Sequence, residues 1–231
     1  MSAASSSSAM KKVQKGGSGP SSAMKTAMKI SSSSMKLSKP ASAAMKTAMK
    51  KKEEKPPMKK PDFYLIKSEP LTRMEKGPTG KSFDMKYSLD DLIAEKNSTC
   101  DWDGVRNYLA RNIMRSMKVG DKAFFYHSNA KPSGIVGIVE VVREAYPDPT
   151  QFEKDNPHYD KKSSKDNPTW DQVDVKFVRK LKRLIPLEEL KNDAFLKKSM
   201  QLVQGNRAPS VSGVAKAEWD YILQKLENKT G

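Results

Sequence analysis

The sequence of 231 residues is poor in the residues that build cross-linked or metal-held folds. It contains one cysteine, Cys100, which cannot form an internal disulfide, and only two histidines. So few soft ligands disfavour a structural zinc module, and we predict no metal site. Long apolar runs are also missing, because the longest uncharged one covers residues 134–139, whereas a membrane-spanning helix needs about 20 residues. We therefore exclude an integral membrane protein and expect no membrane partner.

The common sequence signatures of catalysis are absent as well. The chain has no Gly-x-Ser-x-Gly, Walker A or His-Glu-x-x-His motif. Nothing near Cys100 in the sequence identifies a histidine or aspartate that would activate its thiol, although spatial neighbours stay open at this point. We expect a protein that binds its ligand without chemical change and needs no cofactor. An enzyme and a protein-interaction module are the alternatives.

Positive charge is concentrated at the beginning of the chain. Residues 1–61 hold 14 Lys and 2 Glu, with no Arg and no aromatic residue, whereas residues 62–231 hold 29 Lys or Arg and 25 Asp or Glu. A segment without large apolar side chains cannot bury enough surface to offset the entropy that it loses on ordering. We predict a disordered basic tail over residues 1–61 and one nearly neutral folded domain over residues 62–231.

The tail is also repetitive. The unit AMKTAMK at residues 23–29 returns unchanged at residues 44–50. Spaced lysines on a flexible chain suit contacts with phosphates and the release of counterions, and residues 50–52 (KKK) resemble a nuclear import signal. An organelle transit peptide is an alternative, since the start is rich in Ser and Ala and poor in acids, but it lacks the usual arginines. A solubilising linker is the third interpretation. The nuclear interpretation is preferred.

The second part of the chain alternates short strands with short helices. Strands are predicted at residues 63–66, 123–127, 135–142 and 173–177, and helices at 89–93, 105–117, 187–192 and 219–226. Ser88 and Asp91 have the spacing of a capping box before the first helix. Residues 145–172 contain four prolines and are predicted to form a long ordered loop. Such an arrangement indicates an α+β, barrel-like domain rather than a parallel doubly wound sheet.

Several motifs, in the correct order, resemble the EVE domain family. They are residues 64–70 (YLIKSEP), 102–108 (WDGVRNY), 110–112 (ARN), 124–129 (FFYHSN), 137–142 (GIVEVV), 145–148 (AYPD), 170–175 (WDQVDV), 185–187 (IPL) and 219–223 (WDYIL). Together they cover nearly all of residues 62–226. The resemblance implies a PUA-like β-barrel with short flanking helices, related to the YTH domains that read methylated adenine in RNA.

The resemblance also implies a single pocket for a modified base, and EVE proteins have been linked to modified cytosines in DNA. We therefore expect a nucleic-acid partner that carries a modified base, in DNA or in RNA, bound by a monomer. Stacking on an aromatic face contributes about 1–3 kcal/mol per base but discriminates poorly between bases. Selection of a methyl or hydroxymethyl group must then come from the shape of the pocket and its polar groups.

Candidate ligand-binding residues follow from the same motifs. Trp102 matches the position where YTH domains carry a cage tryptophan, so it is the first candidate for a stacking wall, with a core tryptophan as the alternative. Lys67 and Ser68 are candidate donors to a base or phosphate, or else part of a surface turn. Arg106 and Asn107 lie at the predicted start of a helix, where free N–H groups favour an anion. Asn107 has both a donor and an acceptor for a base edge, whereas a surface ion pair is the alternative for Arg106.

The end of the next strand and two later segments add further candidates, which are Tyr126, His127, Ser128, Trp170 and Ser210. Tyr126 is a second possible wall or a core residue, and a lone His127 is more typical of a structural hydrogen bond than of a ligand site. Trp170 lies in the long loop and would cover the pocket. Residues 208–211 (APSV) align with the family's Arg-Leu-Ser-Val segment, so Ser210 keeps the family's serine while Arg207 is displaced by one residue.

Overall fold

The computed structural model describes residues 59–204 and 208–229. The predicted tail over residues 1–61 lies outside this part of the chain except for its last three residues, and Arg207 lies outside it as well. The disorder of the tail and a ligand role for Arg207 therefore stay predictions. Within the described ranges, no helix has both the length and the apolar character needed to cross a membrane.

The described residues form eight strands and five α-helices, which confirms the α+β class. The strands are β1 (Phe63–Ser68), β2 (Met74–Lys76), β3 (Ser82–Asp84), β4 (Thr99–Trp102), β5 (Lys122–His127), β6 (Gly134–Pro147), β7 (Asp171–Pro186) and β8 (Val211–Val214). The helices are α1 (Leu89–Ala94), α2 (Tyr108–Arg115), α3 (Leu187–Asn192), α4 (Leu196–Ser199) and α5 (Lys216–Tyr221), which continues into a π-helical turn over Ile222–Leu226. All of the helices are short, as predicted.

Six strands form one sheet in the order β4-β7-β6-β5-β1-β8, while β2 and β3 form a separate hairpin. The predicted antiparallel pairing of residues 123–127 with residues 135–142 is confirmed by β5 and β6. β1 and β5 are parallel, and their last residues, Ser68 and His127, are partners in the register. The two strands therefore end side by side. The long strands β6 and β7 carry several register shifts, which bend the sheet.

Both faces of the sheet are buried, and each carries its own core cluster. Side chains along a strand point alternately to the two faces, so one strand contributes to both clusters. In β1, Tyr64 and Ile66 belong to one core cluster, which α1 and α2 cover. Leu65 belongs to a second cluster, which α3, α4 and α5 cover. The near-continuous apolar run of β1 thus reflects a strand packed on two sides rather than one.

Capping residues fix where the first two helices begin. In α1, Ser88 accepts a hydrogen bond from the Asp91 N–H and Asp91 accepts one from the Ser88 N–H, as the capping-box pattern predicts. The prediction for the second helix was wrong at its start, because α2 begins at Tyr108 rather than at residue 105. Asn107 ends the preceding extended segment and accepts hydrogen bonds from the N–H groups of Leu109 and Ala110.

A matched pair of leucines tests the packing of α1. Leu92 is fully buried in the first core cluster, whereas Leu71 is 59% exposed. We expect Leu92→Ala to lower the free energy of unfolding by about 2–5 kcal/mol, because it removes buried methyl groups and leaves a cavity. The same change at Leu71 should cost no more than about 0.5 kcal/mol. Urea unfolding of the two variants measures the difference, and equal costs would contradict this packing.

Candidate functional site

A cavity of about 830 Å³ lies where β1 and β5 end side by side. The main parts of the lining are the end of β1, residues 84–87 before α1, and β4 with the residues that follow it. Single residues from other elements complete it, which are Arg73, Glu95, Ser128, Tyr146, His158, Asp174 and Ser210. The cavity therefore lies at the end of the only parallel strand pair of the six-stranded sheet in the described residues.

Trp102 is the last residue of β4 and borders this cavity. Its ring meets the ring of Phe125 edge-on, with centroids 5.5 Å apart, and that of Tyr87 at 6.4 Å. The residue is only 8% exposed and belongs to the first core cluster. The core and the wall interpretations of Trp102 thus apply together, because the side chain packs into the core and also forms part of the cavity wall. A stacking role stays a prediction.

Hydrogen bonds between strand ends build the floor of the cavity. The Ser128 N–H and hydroxyl donate to the Ser68 carbonyl at 2.7 and 2.8 Å, and the Ser68 hydroxyl donates to the Tyr87 carbonyl.

Lys67 donates from its N–H to the Ser210 carbonyl at 2.9 Å and from Nζ to the Ala208 carbonyl at 2.6 Å. Burial lowers the pKa of Lys67. Four predicted residues of the site, Lys67, Ser68, Ser128 and Ser210, are thereby brought to the same cavity as Trp102.

Carboxylates outnumber cations on the cavity wall. The acidic residues are Glu69, Asp84, Glu95, Asp101, Asp103 and Asp174, and the basic ones are Lys67, Arg73 and Lys86. Two of the acids, Asp101 and Asp103, flank Trp102 in the chain, and Asp174 is the partner of Asp101 in the register of β4 and β7, so all three come from the part of the wall that carries Trp102. Burial against the wall and the nearby carboxylates of Asp148 and Asp101 raise the pKa of Asp103 to about 6. Asp103 is nonetheless exposed over part of its surface.

The thiol of Cys100 also lines the cavity but is not activated. Burial raises its pKa to about 12, so the thiol stays protonated at neutral pH. The neighbouring phenol of Tyr87 has a raised pKa, again because of burial, and also stays protonated. The cavity thus presents a weakly polar edge at these two residues and a charged edge at the carboxylates.

Arg106 does not line the cavity but holds its wall in place. Its guanidinium donates to Asp148 Oδ2 at 2.7 Å, to the Thr150 hydroxyl at 2.8 Å and to the His158 carbonyl at 2.6 Å. Asp148 is fully buried and also accepts the Gly104 N–H at 3.0 Å. Although burial opposes it, the hydrogen bonds from Thr150 and Arg106 lower the pKa of Asp148. The segment after Trp102 is thereby tied to the long loop.

The side chains of four other predicted residues make their contacts outside the cavity. The side chain of Asn107 caps α2. His127 Nε2 accepts the Leu89 N–H at 3.0 Å, and burial lowers the pKa of this histidine, so it is neutral and caps the first turn of α1. Tyr126 lies in the second core cluster. Trp170 is buried, donates from Nε1 to Asp160 at 2.8 Å and packs against Tyr108. None of these four residues lines the cavity, so a direct ligand role for any of them has no support beyond the sequence pattern.

The acidic character of the cavity was missed by the sequence analysis. Asp101 and Asp103 flank Trp102 in the sequence, so the local sequence does contain a signal for acidic groups near this tryptophan. Tyr146 and Asp174 come from β6 and β7, where the Tyr146 hydroxyl donates to Asp174 at 2.6 Å. Nothing in their local sequence links them to Trp102, because strand pairing alone brings them there.

Comparisons with known proteins identify relatives of the folded domain. The EVE domain model matches residues 62–225. The mouse thymocyte nuclear protein 1 is 52% identical over 167 residues, which cover 69% of this chain and 71% of the relative. The human thymocyte nuclear protein 1 is 50% identical over 167 residues, with the same two coverages. A crystal structure of the human THYN1 protein in complex with 5-methylcytosine containing DNA is 48% identical, with a TM-score of 0.67 over 73% of this chain and 99% of that one.

The raised pKa of Asp103 makes stability depend on pH. The folded chain holds this proton more tightly than the unfolded chain, in which Asp titrates near about 3.9. The stability that the protonated form of Asp103 provides is therefore lost progressively as the pH rises from about 3.9 to about 6, and the loss is complete above that range. We expect Asp103→Asn to raise the free energy of unfolding above that of the parent by more at about pH 8 than at about pH 5, as measured by urea unfolding.

Asp84 provides the control, since it lines the same cavity. Hydrogen bonds from the backbone N–H groups of Lys86 and Arg73 lower its pKa, so Asp84 is ionised at both pH values. The effect of Asp84→Asn should then be the same at both. A pH-independent effect of Asp103→Asn would contradict the assignment of the raised pKa.

Proposed function

The chain belongs to the EVE domain family, and from that premise we propose that it binds DNA at a methylated cytosine, which it holds in the cavity beside Trp102 without altering it. The observation that carries the proposal is the cavity itself, which lies next to an indole at the end of a parallel strand pair. A protein 48% identical to this chain has been crystallised with 5-methylcytosine containing DNA.

The size of the cavity supports a ligand of nucleotide dimensions. Pockets that bury small organic ligands have volumes of about 300–1,000 Å³, and this cavity has about 830 Å³. A base inside a duplex cannot reach such a space, so it must first turn out of the stack. The indole of Trp102 would then supply a stacking surface worth about 1–3 kcal/mol.

The carboxylates of the wall favour cytosine over thymine. Cytosine presents an N4 amino group that donates hydrogen bonds, whereas thymine presents a carbonyl at the same position. Asp101 and Asp103, beside Trp102, are acceptors that suit the amino group and repel the carbonyl. The methyl group contributes only about 1–3 kcal/mol through the fit of an apolar surface. We infer that the polar groups select cytosine and that the shape of the cavity selects its methylated form.

The hydrogen bonds of the cavity support binding without catalysis. The hydroxyl groups of Ser68 and Ser128 both donate to backbone carbonyls rather than to a base that would activate them. The Cys100 thiol is protonated at neutral pH because burial raises its pKa to about 12. Covalent catalysis needs a nucleophile within hydrogen-bond reach of a general base, and these three groups lack that arrangement.

The tail would add affinity without selecting a base. Its 14 lysines over residues 1–61 suit contacts with DNA phosphates, and its basic clusters suit nuclear import. A nuclear location is supported by the similarity to proteins named thymocyte nuclear protein 1. An organelle location through a transit peptide is the alternative that imaging of the full chain would test.

A pair of tryptophan variants tests the cavity. We expect Trp102→Phe to lower the affinity for a duplex with one 5-methylcytosine by about tenfold, because the smaller ring loses stacking area. Trp219→Phe is the matched control, since Trp219 is 5% exposed but packs between Phe63 and Phe124 in the second core cluster. Fluorescence anisotropy with duplexes that differ only in one base (5-methylcytosine, cytosine or thymine) gives the affinities. Equal affinity of the parent for all three duplexes would refute the proposal.

Removal of the tail tests its contribution separately. Deletion of residues 1–61 should weaken binding and make the fall of affinity with salt shallower, because fewer counterions are released. The ratio of affinities for 5-methylcytosine and cytosine should not change. A tail of the same composition in shuffled order should restore the salt dependence, if charge is the cause. A deletion that changed the base preference would contradict this division of roles.

A further inference from the structure

Two exposed apolar side chains lie beside the cavity. Leu71 is 59% exposed and Met74 is 58% exposed, and they are among only seven large apolar residues exposed in the described part of the chain. Leu71 lies two residues before Arg73, and Met74 follows Arg73 directly. Arg73 and Glu69 line the cavity. Single exposed apolar residues are common on protein surfaces. Here two of them lie in a segment whose Glu69 and Arg73 line the proposed base pocket, which suggests a more specific use.

The segment that carries these two residues is held firmly at its base. The Tyr87 N–H donates to the Glu69 carbonyl at 2.7 Å, and the Met85 N–H donates to the Arg73 carbonyl at 2.9 Å. The β2–β3 hairpin also packs closely on the long loop, since a Cβ added at Gly77 would lie 1.8 Å from the Asp155 carbonyl oxygen. The apolar pair is therefore carried by a braced segment rather than by an unsupported loop.

Cations of the same segment suit a nucleic-acid backbone. Lys76 and Lys81 are exposed and form no ion pair with any carboxylate in the described ranges. Arg73 and Lys86 add further positive charge, although they pair with nearby acids. Phosphates on either side of an apolar contact would meet these lysines. The surface thus combines an apolar tip with flanking positive charge.

Proteins that deform DNA insert Leu, Met or similar side chains between base steps, and a base that leaves the stack opens a gap in which such a side chain would fit. We propose that Leu71 and Met74 enter the duplex at the position vacated by the methylated cytosine and stabilise its extruded state. This inference rests on the proposed function of the cavity. The role proposed for Leu71 and Met74 exists only when the DNA is double-stranded, because a single strand has no gap of this kind.

The experiment compares duplex and single-stranded DNA. The full chain and its Leu71→Ala/Met74→Ala variant are titrated against a duplex with one 5-methylcytosine and against the single strand of the same sequence. We expect the variant to lose about tenfold in affinity for the duplex, since unstacking is no longer compensated. Its affinity for the single strand should stay within about twofold of the parent. A 2-aminopurine next to the methylated cytosine should report less unstacking with the variant.

Two control variants make the outcome specific. Val119→Ala/Val178→Ala removes two side chains that are 60% and 41% exposed and belong to other parts of the chain, Val119 before β5 and Val178 in β7, and it should leave both affinities unchanged. Leu71→Met/Met74→Leu keeps the apolar volume and should keep the duplex affinity. If Leu71→Ala/Met74→Ala lowered the affinity for duplex and single strand equally, or did not lower the duplex affinity, the insertion of Leu71 and Met74 would be overturned. The cavity proposal would stay intact in both cases. Insensitivity of both affinities to Trp102→Phe would instead overturn the cavity proposal.

Discussion

Asp148 is fully buried, so its negative charge requires a partner within the fold. Arg106 supplies that partner and also donates to the Thr150 hydroxyl and the His158 carbonyl. Removal of either member of such a pair leaves an uncompensated buried charge and typically costs about 3–5 kcal/mol. The same pair joins the segment after Trp102 to the long loop, and both contribute to the cavity wall. The shape of the site depends on this ion pair although neither of its residues lines the cavity.

The distribution of charge divides the chain into two parts. The tail is strongly basic, whereas the cavity of the folded domain is lined by more carboxylates than cations. A basic cavity would attract phosphates and discriminate poorly between bases, because phosphate contacts carry no sequence information. Carboxylates at the end of β4 instead suit the amino group of a cytosine. Attraction to DNA and selection of the base are thus assigned to different parts of one chain in our proposal.

The cavity floor and the rim follow from the same topology. The parallel pairing of β1 with β5 places Ser68 next to His127, and the chain then leaves β1 towards the braced segment with Leu71 and Met74. The hydroxyl groups of Ser68 and Ser128 are occupied by hydrogen bonds to backbone carbonyls, so in our proposal the carboxylates and the indole of the wall are the groups that contact the base. The exposed Leu71 and Met74 would then contact the part of the DNA that stays outside the cavity.

Local sequence determined much of the fold: the strands around residues 63–66 and 123–127, the capping box of Ser88 and Asp91, and the family resemblance over residues 62–226. These features depend on periodicity and on contacts between residues that are close in the chain. Tertiary structure alone decided that Arg106 pairs with Asp148, that His127 caps α1, and that Tyr126 faces the second core cluster. It also brought Asp174 to the cavity by pairing β7 with β4. Side chains alternate along a strand, so the partner strand and its register, which a single sequence does not specify, decide which face each residue meets.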